Sequence, residues 1–356
     1  MEHTYVLTLS PMTLWSLVGI IGVVFILPFT NKKVEENLEV FLFLMGVAAV
    51  TVSGLWRPKL IHEAIVEPIM ITLFVLAFGL TFYWLRKRLH SHVHDVINKI
   101  GLPLFFFIVV VFLGLASSII TAIIASLVLV EIVDAMRVDK NTEVRFVIIA
   151  CFAIGLGAAL TPVGEPLSTI AIGKLRGEPH NADFFFLMRH LGAYIIPAVL
   201  VLAGGAAFLH GKAVREGNSL REDRAESLTG VFLRAGKVYV FVMALILLGA
   251  GFRPVIDVYV VKLPTQALYW LNMVSAVLDN ATLTAAELTP KMDIEHIKAI
   301  LMGLLIAGGM LIPGNIPNII AAGKLKITSR DWAKLGVPLG LVIMLIYFGI
   351  IFGLKW

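Results

Sequence analysis

One cysteine, Cys151, is all the chain has, which excludes an internal disulfide and any cysteine-built metal cluster. Charge is scarce too. Only 15% of the 356 residues are Asp, Glu, Lys or Arg against 59% hydrophobic, too few to keep a soluble domain of this size in water. The apolar runs lack the ten-residue alternation of an outer-membrane barrel and are instead of helix length, so the expected class is an all-α integral membrane protein. No Lys or Arg precedes the first apolar run in MEHTYVLTLSPMTLW and no small-residue cleavage site follows it, which predicts a retained first helix rather than a signal peptide. There is no HExxH pair, no phosphate-binding glycine loop and no Ser/His/Asp constellation that stands out, so an enzyme is not expected. The net charge of +5 resides in loops between spans and reads as a topology signal, not as a nucleic-acid surface.

What is present is a succession of spans with two unusual interruptions. Hydropathy places spans near Leu14–Phe29, Leu38–Val52 and Pro68–Leu85. The following RKRLHSHVHDVINKIG reads as an amphipathic interfacial helix with solvated His90, His92 and His94, with a metal-binding tract as the alternative. Leu102 to Asp134 covers nearly two crossings without a loop, which predicts a re-entrant hairpin over 102–134. A broken helix over 144–175 and a span over Phe184–Leu209 complete the first half. After the hydrophilic stretch 210–237 the order recurs: a span from Val238 to Gly251, an interfacial piece around Arg253–Pro264, a hairpin over 265–290, a broken helix over 295–325 and a last span, Leu335–Leu354. The expected organisation is therefore N-terminal helices 1–65, a first repeat 66–209, a cytoplasmic linker 210–237 and a second repeat 238–356, with about eight spanning helices, two re-entrant hairpins and two broken helices.

Orientation follows from charge. With the first loop cytoplasmic, one side collects 19 of the 29 basic residues, which predicts a multi-pass protein of the inner, cytoplasmic membrane. The same count sends the first hairpin in from the cytoplasm and the second from outside, so the repeats are expected to be inverted. That is the architecture of secondary transporters, whose sites form where broken helices meet at mid-membrane.

The repeat is also legible residue by residue. GAALTPVGEPLSTIAIGKL and MLIPGNIPNIIAAGKL fall into register on their closing Gly-Lys-Leu, pairing Gly164 with Gly314, Glu165 with Asn315, Ser168 with Asn318 and Lys174 with Lys324. Proline and glycine at Thr161–Pro166 and Ile312–Pro317 release backbone groups that survive in hydrocarbon only where they are covered or line a cavity. A packing kink is the alternative for a lone proline. A small hard cation takes oxygen ligands, which Asp279, Asn280, Thr282, Ser168, Glu165, Asn315 and Asn318 supply. A buried carboxylate holds either a proton or a cation, and that competition suffices to couple two ions. Asp279 and Glu165 also suit helix caps, a reading that remains open here. Glu287, Glu131 and Asp134, near hairpin exits, are expected at the interface.

The paired hairpins, with SSIITAI in the first and VLDNATLT in the second, each followed by a break, GAALTPVGEP and GGMLIPGNIPN, resemble the ion transporter superfamily. Within it they are most similar to NhaD-type sodium/proton antiporters and to a related family of predicted cation transporters of unknown function. The resemblance implies a homodimer with elevator-like motion. It puts Ser118, Thr121, Gly164 and Glu165 in one half-site and Asp279, Asn280, Thr282, Gly314 and Asn315 in the other, with Asp279 and Asn280 as sodium ligands. The expected function is exchange of a monovalent cation, sodium first, for protons, with no cofactor and the lipid bilayer as surroundings. The alternative is a sodium-coupled carrier of a small anion such as a dicarboxylate. Residues 161–169 and 276–286 hold two carboxylates and no Lys or Arg, which leans toward the cation.

Overall fold

The computed structural model describes residues 10–136, 138–209, 228–260 and 263–353, the side chains of 85–91 excepted. Among these there is no β-strand, and the helices follow in the order α1 (Pro11–Thr30), α2 (Lys32–Glu36), α3 (Leu38–Ser53), α4 (Pro58–Ile100), α5 (Leu102–Ile120), α6 (Ala122–Met136), α7 (Lys140–Ala158) and α8 (Pro166–Leu175). They continue with α9 (Phe186–Ala207), α10 (Leu228–Val255), α11 (Thr265–Leu271), α12 (Asn280–Glu287), α13 (Ile294–Gly308), α14 (Ile316–Leu325) and α15 (Ser329–Phe348). Seven described helices are long and apolar enough to cross a membrane, and α3 is apolar but shorter, at 16 residues. The chain is a multi-pass membrane protein.

Burial separates centre from rim. The most apolar window of α7 is 89% buried within the protein, whereas those of α1 and α4 are 17% buried. Trp15, Phe112, Val201 and Phe208 stand exposed on outer faces, where hydrocarbon rather than water is the compatible surrounding. Helix α7 packs against α5 and α9, while α10 lies along α3 and α4.

Three local expectations change. The basic, His-rich stretch after residue 85 continues α4 without interruption to Ile100 and is not a separate interfacial helix. It contains no proline or glycine before Gly101, so nothing stops propagation there. Residues 228–237 of the expected linker begin α10, because Val231, Ala235 and Val238 form a buried stripe at helical spacing; 210–227 lie outside the described residues. The expected interfacial piece near 253 starts as the end of α10 and runs into a π-helical turn, Ile256–Val260.

The two interrupted helices share one backbone plan. Ala158 and Gly308 end α7 and α13, Glu165 and Asn315 precede the next helix, and Leu175 and Leu325 end α8 and α14, each pair lying 150 residues apart. Glu165 (φ −157°, ψ 160°) and Asn315 (φ −154°, ψ 146°) also share their extended conformation. Proline causes both restarts: Pro166 and Pro317 sit in the first turn of α8 and α14, where no N–H is required.

Contacts cross between the halves. Helix α8 packs on α12, and α14 packs on α6. At the end of α8, Lys174 Nζ donates to the Ala285 and Leu288 carbonyls that close α12. At the equivalent point of α14, Lys324 Nζ donates to Glu131 Oε1 at 2.5 Å, with side chains only 11% and 7% exposed. Glu131 is thus buried within the protein and paired across the two halves.

Because removing one member of such a pair leaves an uncompensated charge, Lys324→Met alone is expected to destabilise by about 3–5 kcal/mol. Lys324→Met with Glu131→Leu should recover most of that loss. Thermal unfolding of the purified protein in detergent measures both, and equal losses in the single and double variants would contradict the pairing.

Candidate functional site

Each break is held open by side chains that occupy the carbonyls a continuous helix would have used. In the first, Thr169 Oγ1 donates to Pro162 O at 2.5 Å and Thr161 Oγ1 donates to Ser118 O. In the second, Asn318 Nδ2 donates to Gly308 O and Leu311 O, both at 2.8 Å. Gly164 and Gly314 permit the chain to double back. A Cβ on Gly164 would strike Ala158 O, and one on Gly314 would come within 2.5 Å of Gly308 O.

The intervening helices deliver their N-termini to these breaks. Between α5 and α6 the chain turns at Thr121, whose φ of 75° and ψ of 150° is a conformation that a β-branched residue adopts only under constraint, at a cost of about 1–3 kcal/mol. The first amide of α6, Ala122 N, donates to Gly164 O at 2.9 Å and so docks this turn on the first break. The segment before α12 is a 3₁₀ turn, Asn272–Ala276, tied to α13 by Ser275 Oγ donating to Leu304 O at 3.2 Å. Asp279 then caps α12, its Oδ2 accepting from the N–H and the hydroxyl of Thr282, both at 2.8 Å.

The result is a cavity of about 50 Å³ walled by the starts of four helices: Ala122 of α6, Pro166 of α8, Asn280 of α12 and Ile316 of α14. Leu245 of α10 contributes an apolar wall. Of the residues expected from sequence, Gly164, Glu165, Asp279, Asn280, Gly314 and Asn315 line it, two from the first half and four from the second, supplied by the two breaks and by the α12 start. Ser118, Thr121, Thr282, Ser168 and Asn318 lie outside its wall. The Ser118 hydroxyl turns back to Leu115 O at 2.7 Å, so only its carbonyl meets the break. Thr121 shapes the turn, Thr282 completes the cap, and Ser168 and Asn318 sit one turn inside α8 and α14.

Electrostatically the wall combines two opposing contributions. Four helix N-termini present partial positive charge, each equivalent to about half an elementary charge. Two carboxylates face them. Asp279 is engaged as a cap, but Glu165, although in the capping position of α8, makes no capping hydrogen bond. Glu165 Oε1, Ser168 Oγ, Asn280 Oδ1 and Asn318 Oδ1 are buried and have no hydrogen-bond partner within the protein. Buried polar atoms are ordinarily paired, so these four oxygens, of which those on Ser168 and Asn318 occupy matched positions of the two breaks, are acceptors that the chain itself leaves open.

Sequence reasoning missed three things here. Among them, Ala122 and Ile123 at the start of α6 carry no distinctive side chain, and Leu245 belongs to a helix that reads as an ordinary span. Glu287, expected at the interface, is 1% exposed within the protein, at the far end of α12. Only its position eight residues from Asp279 on a short helix could have signalled that. Among the described residues no group of three or more His, Cys, Asp or Glu side chains could hold a metal ion.

If Gly164 and Gly314 are required by close approach, Gly164→Ala and Gly314→Ala should each lower the thermal midpoint. Gly173→Ala and Gly323→Ala, the next matched pair along, have open space for a Cβ and should be neutral or slightly stabilising. Indistinguishable unfolding curves for the two pairs would contradict the packing of the breaks.

A family model described as a protein of unknown function, DUF1646, matches residues 14–354 of the chain. No curated protein matches it.

Proposed function

We propose that this chain, which belongs to that family of unknown function, is a secondary active transporter that exchanges a monovalent cation, sodium first, for protons. The observation that carries the reading is the set of unpaired oxygens on Glu165, Ser168, Asn280 and Asn318 at the starts of α8, α12 and α14, those of Glu165 and Asn280 in the cavity wall itself. A hard monovalent cation takes carboxylate, amide and hydroxyl oxygens of this kind, and the alternative occupant of a carboxylate is a proton.

The arrangement of the halves supports alternating access. The start of α7 meets the end of α14, where Lys140 Nζ donates to Leu325 O at 2.6 Å. Just past α8, His180 Nε2 pairs with Met292 O at 2.8 Å, just before α13. The two broken helices therefore run in opposite directions, as an inverted repeat requires, and α5–α6 with α11–α12 act as the paired re-entrant hairpins. In this reading Asp279 and Asn280 form the core of the cation site, and Glu165 lies across the cavity from them. The likeness to the ion transporter superfamily extends the proposal to a homodimer, and the charge bias to the inner membrane.

A second reading has its own observation. Four helix N-termini favour an anion, which suits a sodium-coupled carrier of a dicarboxylate. Size counts against it in this conformation: about 50 Å³ is well below the ~150 Å³ that accommodates benzene, a smaller molecule than a four-carbon dicarboxylate.

Purified protein in vesicles with an internal pH dye, challenged with sodium, lithium, potassium, calcium and succinate, separates the two. Asp279→Asn keeps the shape of the cap and removes the charge, and is expected to abolish sodium-driven proton movement. Asn280→Ala removes one neutral ligand and should raise the sodium concentration for half-maximal exchange by about tenfold, the equivalent of ~1.4 kcal/mol. Glu165→Gln decides whether one carboxylate or two take part. Wild-type exchange with an unchanged pH profile in Asp279→Asn would sink the coupling role of Asp279.

A further inference from the structure

A second cavity runs along α12 from Leu278, just before its start, past Leu283 to Glu287 at its end, and shares no wall residue with the first. Eight residues at about 1.5 Å each put roughly 12 Å between its ends. The second cavity has a volume of about 130 Å³ and lies between the end of α10 with its π-helical turn and the segment α11–α12. Its wall is apolar, including Phe252, Val255, Ile256, Leu278 and Leu283, and carries two polar side chains, Asn272 and Glu287. Asn272 gives its amide to Ile300 O at 3.4 Å. Glu287 is 1% exposed; the Asn272 side chain faces it, but neither carboxylate oxygen is held by a hydrogen bond of full geometry within the protein.

A wholly buried carboxylate with neither oxygen held by a full hydrogen bond, aimed into an apolar cavity, is one half of a recognition pair. A bare metal ion does not complete it, because hard cations need several oxygens and this wall offers only the carboxylate and one amide. A water-soluble anion is repelled by the charge. What matches both features is a cation with an apolar body, whose N–H groups satisfy the carboxylate while its carbons fill the remainder. The volume fixes the scale: about 130 Å³ is close to the ~150 Å³ that takes one benzene, so the body has some five or six carbons.

We propose that the Glu287 cavity binds a small hydrophobic ammonium ion, with the charge on Glu287 and the hydrocarbon against Phe252, Val255 and Leu283. Such a ligand reaches the far end of the helix whose first residue lines the central cavity, so it braces α12 against α10.

The test is calorimetric titration of the full-length protein in detergent with cyclopentylammonium and with cyclopentanol, a neutral molecule of the same heavy-atom count. It needs no ion gradient, so it stands or falls independently of cation exchange. The ammonium is expected to bind at least about tenfold tighter than the alcohol. Glu287→Gln should erase that difference while leaving the alcohol's affinity in place, and Leu283→Phe, which fills the cavity, should weaken both. Equal binding of the two probes to the unmodified protein overturns the proposal and makes the cavity an apolar crevice. So does an ammonium preference that persists in Glu287→Gln or, should that variant not fold, an ammonium affinity that Leu283→Phe leaves unchanged.

Discussion

A helix that starts in the middle of a membrane protein leaves its first N–H groups without partners, and this chain makes four such starts face one small space. Hydrocarbon cannot satisfy those groups, and α6, α8, α12 and α14 can end there only if polar atoms are brought to meet them. The Asp279 carboxylate meets one start directly, and the Gly164 carbonyl meets another. Everything nearby serves the same balance: prolines that end and restart α7–α8 and α13–α14, glycines that let the breaks fold back, and amide and hydroxyl side chains that occupy the released carbonyls. The oxygens left over after this accounting are the acceptors that the chain does not itself satisfy.

Much of the plan is visible in the sequence because hydrocarbon permits so few structures. Helix-length apolar runs mark the spans, and Pro162, Pro166, Pro313 and Pro317 mark the breaks, since a residue without an N–H cannot continue a helix. The shared Gly-Lys-Leu set the pairing of the two halves without any structural information, and the helix bounds fall on the same spacing. Six of the eleven residues singled out from sequence do line the central cavity.

What escaped the sequence was set by three-dimensional neighbours. Glu131 and Glu287 stand at the same kind of place, a charged residue near the end of an apolar helix, and pattern alone assigns both to the interface. One instead finds Lys324 from the far half of the chain, and the other finds no hydrogen bond of full geometry within the protein. Thr121 at positive φ illustrates the same limit: nothing about a threonine announces that conformation, which is imposed by docking α6 on the first break. Ser118, by contrast, reads as a ligand from its type, yet its hydroxyl is consumed by its own helix.

The exchange of partners between halves also bears on how the chain is made. Glu131 leaves the ribosome 193 residues before Lys324 does, roughly 10–40 s earlier at ordinary rates of synthesis. For that interval the first half holds a carboxylate destined for burial with no cation to accompany it, and α12, which Lys174 will close, does not yet exist. The early helices must therefore wait at a wetter position than the one they finally occupy. Insertion becomes complete only when the penultimate helix arrives and carries its lysine in from the opposite end of the sequence.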